Sequence, residues 1–174
     1  MDAIYRAFLQ TASEDAETVN RRSDVVRLIG RPGSGNPPSG YLGVFTGIEH
    51  FERGPGGRIQ VSTEPIPFGV TFPPNYCADP DPHLQFEVCR IGGLFHPNVK
   101  GSLVCLGAQF RPSTRLRQVV LQLYLIASAQ VRAPDHAFSA EARRFYLDHA
   151  QEVEKLRAPE LWSRPVASAI RLST

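Results

Sequence analysis

Apolar residues recur at helical spacing over the first 29 residues of the chain. They are Ile4, Phe8, Ala12, Ala16, Val19, Val26 and Ile29, with charged residues between them. A spacing of three to four residues places such side chains on one face of a helix. The pattern predicts one or two helices between Asp2 and about Ile29 that pack by this apolar face.

A β-rich region follows a loop that is predicted from the glycines and prolines of residues 30–40. Short apolar runs divided by turn residues then predict an antiparallel meander of four strands. The predicted strands are Tyr41–Phe51, Arg58–Thr63, Ile66–Phe72 and Leu84–Val88. Four prolines between residues 73 and 82 disfavour helix and central strand alike, so they predict a stiff connection across the surface.

Helical spacing returns in the last third of the chain. A first helix is predicted from Thr114, its candidate N-cap, with a buried face of apolar residues between Leu116 and Ile126. Residues 133–138 break this helix, and Ser139 caps a further helix that extends to about Leu156. We therefore predict an α+β fold in a single domain, residues 1–174, with an N-terminal helix, a four-stranded antiparallel meander and C-terminal helices.

Composition excludes several function classes. The chain has 174 residues, of which 42% are hydrophobic and 21% charged, and a formal net charge of +2. This charge gives no reason to expect nucleic acid or a membrane as a partner. The sequence contains no signal peptide and no apolar run long enough to span a membrane, so the cytoplasm is the expected location.

The cysteines and histidines lack the spacing of a disulfide framework or a metal site. Cys77, Cys89 and Cys105 form no Cys-x-x-Cys pair, and the five histidines show no ligand spacing. We therefore expect no metal and no cofactor. The basic residues are almost all arginine, since Lys100 and Lys155 are the two lysines of the chain. Genomic base composition is one explanation for the few lysines. Another is that an enzyme that handles lysine-reactive thioesters benefits from carrying few lysines of its own.

The stretch Phe95–Leu106 carries the strongest candidate chemistry. A rigid His96-Pro97-Asn98 turn precedes Cys105 by seven residues, because Pro97 fixes its own φ and favours extended geometry at His96. A thiol beside an amide donor suits acyl transfer, in which the thiolate attacks and the amide stabilises the oxyanion. Alternatively, Cys105 is a small buried hydrophobic residue and Asn98 a turn residue.

Four motifs in this part of the chain together resemble the core of the ubiquitin-conjugating enzyme family. They are Phe72-Pro73-Pro74-Asn75-Tyr76, Asp79-Pro80-Asp81-Pro82, His96-Pro97-Asn98-Val99 and Leu103-Val104-Cys105-Leu106. Their order and spacing resemble the family from Phe68 to about Leu156. Phe110 replaces a tryptophan that is usual in the family, and Gly107 stands where an aspartate is common. The first third of the chain is similar only in pattern.

The resemblance implies a role for each motif residue. Cys105 would accept a ubiquitin-like protein from an activating enzyme as a thioester and pass it to a lysine amine of a protein substrate. Asn98 would stabilise the oxyanion or hold the cysteine loop. His96, with Pro97, would be structural, its ring hydrogen-bonded to backbone near the turn. Asp135 falls where the family usually keeps an acidic residue that orients or deprotonates the incoming lysine.

Further expectations concern the partners. His136, next to Asp135, could share the handling of the lysine. Arg6, Arg21 and Arg22 on the first helix could dock the activating enzyme, or form a solvated face, and a ligase is a possible further partner. The departures from the family pattern suggest a divergent bacterial member, encoded in an operon with its own modifier, which would fit a role in defence against phages.

Two other functions are compatible with the sequence. The first is a non-catalytic module that keeps the fold and binds a ubiquitin-like protein, although such variants typically lack the cysteine. The second is a small cysteine hydrolase that uses Cys105 with His96 or His149, which would require an oriented imidazole next to the thiol.

Overall fold

One long helix and a six-stranded antiparallel sheet form the centre of the computed structural model. The structure describes residues 2–78, 84–107, 110–111, 113–131 and 137–163. The helix, α1 (Ala3–Arg22), begins at Asp2, whose carboxylate accepts a hydrogen bond from the backbone N–H of Ile4. Its buried face includes Tyr5, Leu9 and Val19. The predicted N-terminal helix is thus present.

The prediction of helix up to Ile29 is wrong. Helix α1 ends at Arg22, and residues Val26–Gly30 form the first strand, β1. The hydroxyl of Ser23, the C-cap residue, accepts from the N–H groups of Val25 and Val26 and so stabilises the turn out of the helix. The Asn20 side chain then exchanges two hydrogen bonds with the backbone of Leu28, which ties the helix to the new strand.

The sheet contains more strands than the predicted meander. The later strands are β2 (Gly40–Phe45), β3 (His50–Arg53), β4 (Ile59–Ser62), β5 (Ile66–Thr71), β6 (Cys89–Ile91), β7 (Val99–Lys100) and β8 (Leu103–Val104). Five of them join β1 in a six-stranded antiparallel sheet, in the order β1-β2-β5-β6-β8-β7. Strands β3 and β4 form a separate hairpin, whose connection contains a 3₁₀ turn, Pro55–Gly57. The α+β class and its antiparallel sheet are confirmed.

Two predicted strands need correction. The run Tyr41–Phe51 divides into β2 and β3, because Thr46 bonds back to Val25 and Gly47, at φ +74°, turns the chain. The run Leu84–Val88 is not a strand. Most of it forms a short helix, α2 (Gln85–Val88), and the strand of this region is β6, which begins one residue later.

The C-terminal helices are α3 (Leu116–Ala127), α4 (Ala140–Asp148) and α5 (Ala150–Glu154). The N-cap of α3 is Arg115, which forms a capping box with Gln118, and not the predicted Thr114, whose hydroxyl bonds within the preceding turn. Ser139 caps α4 as predicted. The predicted single helix beyond it is interrupted at His149. The break predicted at residues 133–138 lies mostly outside the described residues.

Helices α1 and α3 pack together, and α1 also packs on β1, so the main core lies between these helices and the sheet. Asp15 of α1 links the two helices: its carboxylate, only 3% exposed, accepts two hydrogen bonds from the Arg115 guanidinium. A second, smaller core cluster contains Phe51, Ala129, Tyr146 and Val153. None of the helices in the described ranges is long and apolar enough to cross a bilayer.

Candidate active site

The candidate cysteine follows a tight hairpin at the edge of the six-stranded sheet. Strands β7 and β8 are joined by two residues, Gly101 and Ser102, and pair Lys100 with Leu103. Gly101 has φ +63°, a left-handed conformation that glycine adopts without a steric penalty. Val99 and Val104 form the next pair and are both buried. The alternation of a β-strand therefore turns Lys100 and Leu103 to the face opposite these two valines.

Asn98 and Cys105 extend this hairpin by one further pair. The Cys105 N–H donates to the Asn98 carbonyl oxygen over 2.8 Å. The return bond comes from the Asn98 side chain, whose Nδ2 donates to the Cys105 carbonyl oxygen over 3.1 Å. The side-chain amide takes the place that a backbone N–H holds in an ordinary antiparallel pair. This bond fixes the backbone of Cys105 relative to the His-Pro-Asn turn.

The backbone N–H of Asn98 is used by His96 instead. It donates over 3.0 Å to Nδ1 of the His96 ring, which is 1% exposed and stacks edge-on against Tyr146 at 5.1 Å. A ring nitrogen that accepts a hydrogen bond carries no proton, so the neutral ring carries its proton on Nε2. The ring thus occupies the Asn98 N–H, and the Cys105 carbonyl accepts from the Asn98 side chain instead.

Three contacts from other parts of the chain hold the turn in place. Phe95 N–H donates to the Phe51 carbonyl of β3 over 2.8 Å, and the Tyr146 hydroxyl of α4 donates to the Phe95 carbonyl over 3.1 Å. The N–H of Ser139 donates to the Pro97 carbonyl over 2.9 Å. Strand β3 and helix α4 thus tie the turn to the rest of the fold at Phe95 and Pro97.

The three cysteines differ in their environment. Cys105 is half-buried, with its neighbours Val104 and Leu106 anchored in the core. Cys89 is fully buried, and burial raises the pKa of its thiol far above the ordinary value. Cys77 is half-buried, and desolvation raises its pKa too. Since the thiolate is the nucleophile, neither Cys77 nor Cys89 is prepared for chemistry at neutral pH.

Three histidine rings in the described part of the chain contact backbone groups through Nδ1. The rings of His50 and His149 contact the carbonyls of Ile48 and Phe145, and His96 accepts from the Asn98 N–H. His149 stacks on Phe145 at the junction of α4 and α5. None of these three hydrogen bonds orients an imidazole toward the Cys105 thiol, as the hydrolase alternative requires.

Five candidate residues remain. Two of them, Asp135 and His136, fall outside the described residues. Arg6 and Arg21 are exposed on α1, where Arg21 faces Glu17, while Arg22 lies over the Trp162 ring at 5.4 Å. The structure thus places these arginines on the first helix and not on the hairpin. Within the described ranges, no cluster of three His, Cys, Asp or Glu side chains could hold a metal ion.

A groove next to the hairpin was not predicted from the sequence. It has a volume of about 660 Å³, and its lining includes Arg53, Phe95, Lys100, Phe138 and Glu141. Arg53 pairs with Glu141 at 2.5 Å and lies over the Phe95 ring. The Lys100 ammonium lies 6.0 Å from the centre of the Phe138 ring. The groove is built from residues distant in sequence, so no local motif signals it.

Comparison with solved structures finds chains of similar fold. The fold is similar to the E2 domain of a Toxoplasma gondii ubiquitin-conjugating enzyme, with a TM-score of 0.49 and 15% sequence identity over 82% of this chain and 88% of that one. No protein-family model and no curated protein sequence matches the chain.

Proposed function

We propose that this chain is a ubiquitin-conjugating-type carrier. It accepts a ubiquitin-like protein from an activating enzyme as a thioester on Cys105 and transfers it to an amine, in the first place a lysine of a protein substrate. The observation that carries the proposal is the pairing of Asn98 with Cys105, with His96 held beneath it. This arrangement ties a side-chain amide donor to the backbone of a half-buried cysteine.

The chemistry of charging fits these residues. The Cys105 thiolate attacks the thioester on the activating enzyme, a new carbon–sulfur bond forms, and the enzyme's thiolate leaves. A second attack, by an amine, then releases the Cys105 thiolate and leaves an isopeptide bond. Both steps pass through a tetrahedral oxyanion, which an amide donor stabilises. In this proposal Asn98 supplies the donor or holds the cysteine backbone, and Asp135, with His136, orients the amine.

The exposed face of α1 would dock the activating enzyme. Arg6 and Arg21 point away from the core on this face, whereas Arg22 already contacts Trp162. We therefore expect Arg6 and Arg21 to contribute more to docking than Arg22. Reversal of the first two charges (Arg6→Glu with Arg21→Glu) should slow charging of Cys105 and leave transfer from an already charged protein unchanged.

The decisive test is co-expression of the chain with its genomic neighbours, followed by a gel without reducing agent. The wild type should give a higher band that a thiol removes. Cys105→Ser should replace it with a thiol-resistant ester band, and Cys105→Ala should give neither. Cys77→Ala is the matched control and should retain the wild-type band. A band that survives in Cys105→Ala would refute the proposal.

The non-catalytic alternative predicts a different pattern in the same experiment. A ubiquitin-like protein would then co-purify equally with the wild type and Cys105→Ala, and no band would depend on the thiol. That result would replace the carrier function with simple binding.

A further inference from the structure

We propose that Lys100 is a self-modification site, the amine that takes the acyl group from Cys105 when no other acceptor is bound. The inference rests on the proposed carrier function, because it requires an acyl thioester on Cys105. The observation behind it is the register of the hairpin, which places an exposed lysine on the same face as the candidate thiol.

The register fixes which side chains share a face. Lys100 pairs with Leu103 and Asn98 with Cys105, while Val99 and Val104 between them point into the core. Side chains two positions apart along a strand lie on one face. Lys100 and Cys105 are therefore diagonal neighbours on the face of the hairpin opposite Val99 and Val104.

The distance between such neighbours is within the reach of a lysine. Diagonal positions in an antiparallel pair lie about 7–8 Å apart, close enough for long side chains to meet. Lys100 is exposed, and its ammonium now lies over Phe138 at 6.0 Å from the ring centre. An exposed cation–π contact is weak, so the side chain can leave Phe138 and turn toward Cys105.

The scarcity of lysine gives this position its significance. The chain has nineteen basic residues, and only Lys100 and Lys155 among them are lysines. Lys155 caps the C-terminus of α5, outside the hairpin. A chain that carries arginine at nearly every basic position nevertheless has one of its two lysines on the hairpin that leads to the candidate thiol.

The transfer balances without any added reactant. The unprotonated Lys100 Nζ attacks the thioester carbonyl carbon, a carbon–nitrogen bond forms, and the carbon–sulfur bond breaks. The electron pair leaves with the Cys105 sulfur, and the proton released from nitrogen goes to the thiolate or to water. The product is an amide on Lys100 and a free thiol on Cys105, so one acyl group per chain is trapped.

A small acyl donor tests the inference without the natural modifier. The full chain is incubated with the 2-mercaptoethanesulfonate thioester of N-acetyl-glycylglycine at about pH 8.5, where a larger fraction of lysine amine is unprotonated. Hydroxylamine then removes thioesters, and peptide mapping by mass spectrometry locates the amides. We expect at least ten-fold more acylation at Lys100 than at Lys155, and loss of this excess in Cys105→Ala.

The variants separate the possible results. Lys100→Arg keeps the positive charge over Phe138 but offers no amine for acylation, so the acyl group should remain on Cys105 as a hydroxylamine-sensitive thioester. Lys155→Arg should behave as the wild type. Equal acylation of Lys100 in Cys105→Ala, or a stable thioester on Cys105 with Lys100 unmodified, would overturn the inference and leave the carrier proposal intact. Failure of Cys105 to accept any acyl group would overturn both.

Discussion

Asn98 and Cys105 exchange two hydrogen bonds across the end of the hairpin: Cys105 N–H to Asn98 O at 2.8 Å, and Asn98 Nδ2 to Cys105 O at 3.1 Å. The second bond uses a side chain where an ordinary strand pair would use the backbone. The backbone position of Cys105, the candidate nucleophile, therefore depends on the side chain of residue 98.

Replacement of Asn98 by aspartate should lower stability and slow transfer. The substitution keeps the shape but puts a carboxylate oxygen against the Cys105 carbonyl, so the buried acceptor loses its donor. We expect a loss of about 1–3 kcal/mol in the free energy of unfolding, measured by urea denaturation. Ser102→Ala, in the exposed turn of the same hairpin, should change stability by less than about 0.5 kcal/mol.

The same variant, once charged, should discharge to a free amine about 10²–10³-fold more slowly if Asn98 stabilises the oxyanion. Single-turnover discharge to lysine from a purified thioester measures this rate. A discharge rate equal to that of the wild type would show that Asn98 only holds the loop.

Removal of the Arg115 side chain should destabilise the contact between α1 and α3. The Asp15 carboxylate is almost fully buried and would lose both guanidinium bonds, while the guanidinium itself is 40% exposed. We expect Arg115→Ala to cost about 2 kcal/mol, less than the loss of a partner from a fully buried pair. Arg21→Ala, which removes an exposed pair with Glu17, should cost less than about 0.5 kcal/mol.

A double-mutant cycle of Arg115→Ala with Asp15→Asn isolates this pair. The coupling energy should exceed about 1 kcal/mol. Purely additive effects would mean that the two side chains act separately on the helix ends.

Alanine at Gly43 should disrupt the core. A Cβ at this strand position would lie 2.2 Å from the Phe68 ring, which is buried and stacks on Phe45. Relief requires that the ring or the strand move, so we expect a loss of about 1–3 kcal/mol by thermal or urea denaturation. The matched control is Gly69→Ala in β5, where the nearest atom would lie 3.9 Å away. If both variants were equally stable, the stacked position of Phe68 would be wrong.

Stability should fall at alkaline pH because of Cys89. Burial raises the pKa of this thiol in the folded protein far above its ordinary value of 9.0. Below about pH 9 both states keep the proton and the contribution is constant. Above that pH the unfolded thiol ionises while the folded one does not, so stability decreases by about 1.4 kcal/mol per pH unit.

Cys89→Ala removes this contribution. The difference in unfolding free energy between wild type and variant should change with that slope between about pH 9 and 10.5. A comparison of slopes is required because burial also raises the pKa of Tyr76, whose ordinary value is 10.0 and whose contribution both proteins share. Parallel curves would show that Cys89 ionises equally in both states.

Local chemistry made several features predictable. The α+β class follows from a change of apolar periodicity along the chain. The Ser139 cap was predictable because it is local: the Ser139 hydroxyl accepts a hydrogen bond from the N–H of Ala142, only three residues later. Within Phe95–Leu106 the candidate amide and thiol could be named in advance, because the His96-Pro97-Asn98 turn and Cys105 resemble the motif of a known family.

Other predictions failed where a partner distant in sequence decides the structure. Thr114 is the better N-cap by local preference, yet α3 begins at Arg115, whose guanidinium binds Asp15 one hundred residues earlier. The strand predicted at Leu84–Val88 is a helical turn, and the strand β6 starts at Cys89, where pairing with β5 begins.

The sequence by itself determined the order of the motifs and the fold class, because the class depends on short-range sterics and periodicity, and its resemblance to a known family suggested the candidate residues. Only the tertiary structure decided how the turn is held between β3 and α4, how the His96 ring engages the Asn98 N–H, and which lysine shares a face with Cys105. These features depend on register and on packing between segments up to about fifty residues apart. Such contacts are selected by the free energy of the whole core and leave no local pattern in the sequence.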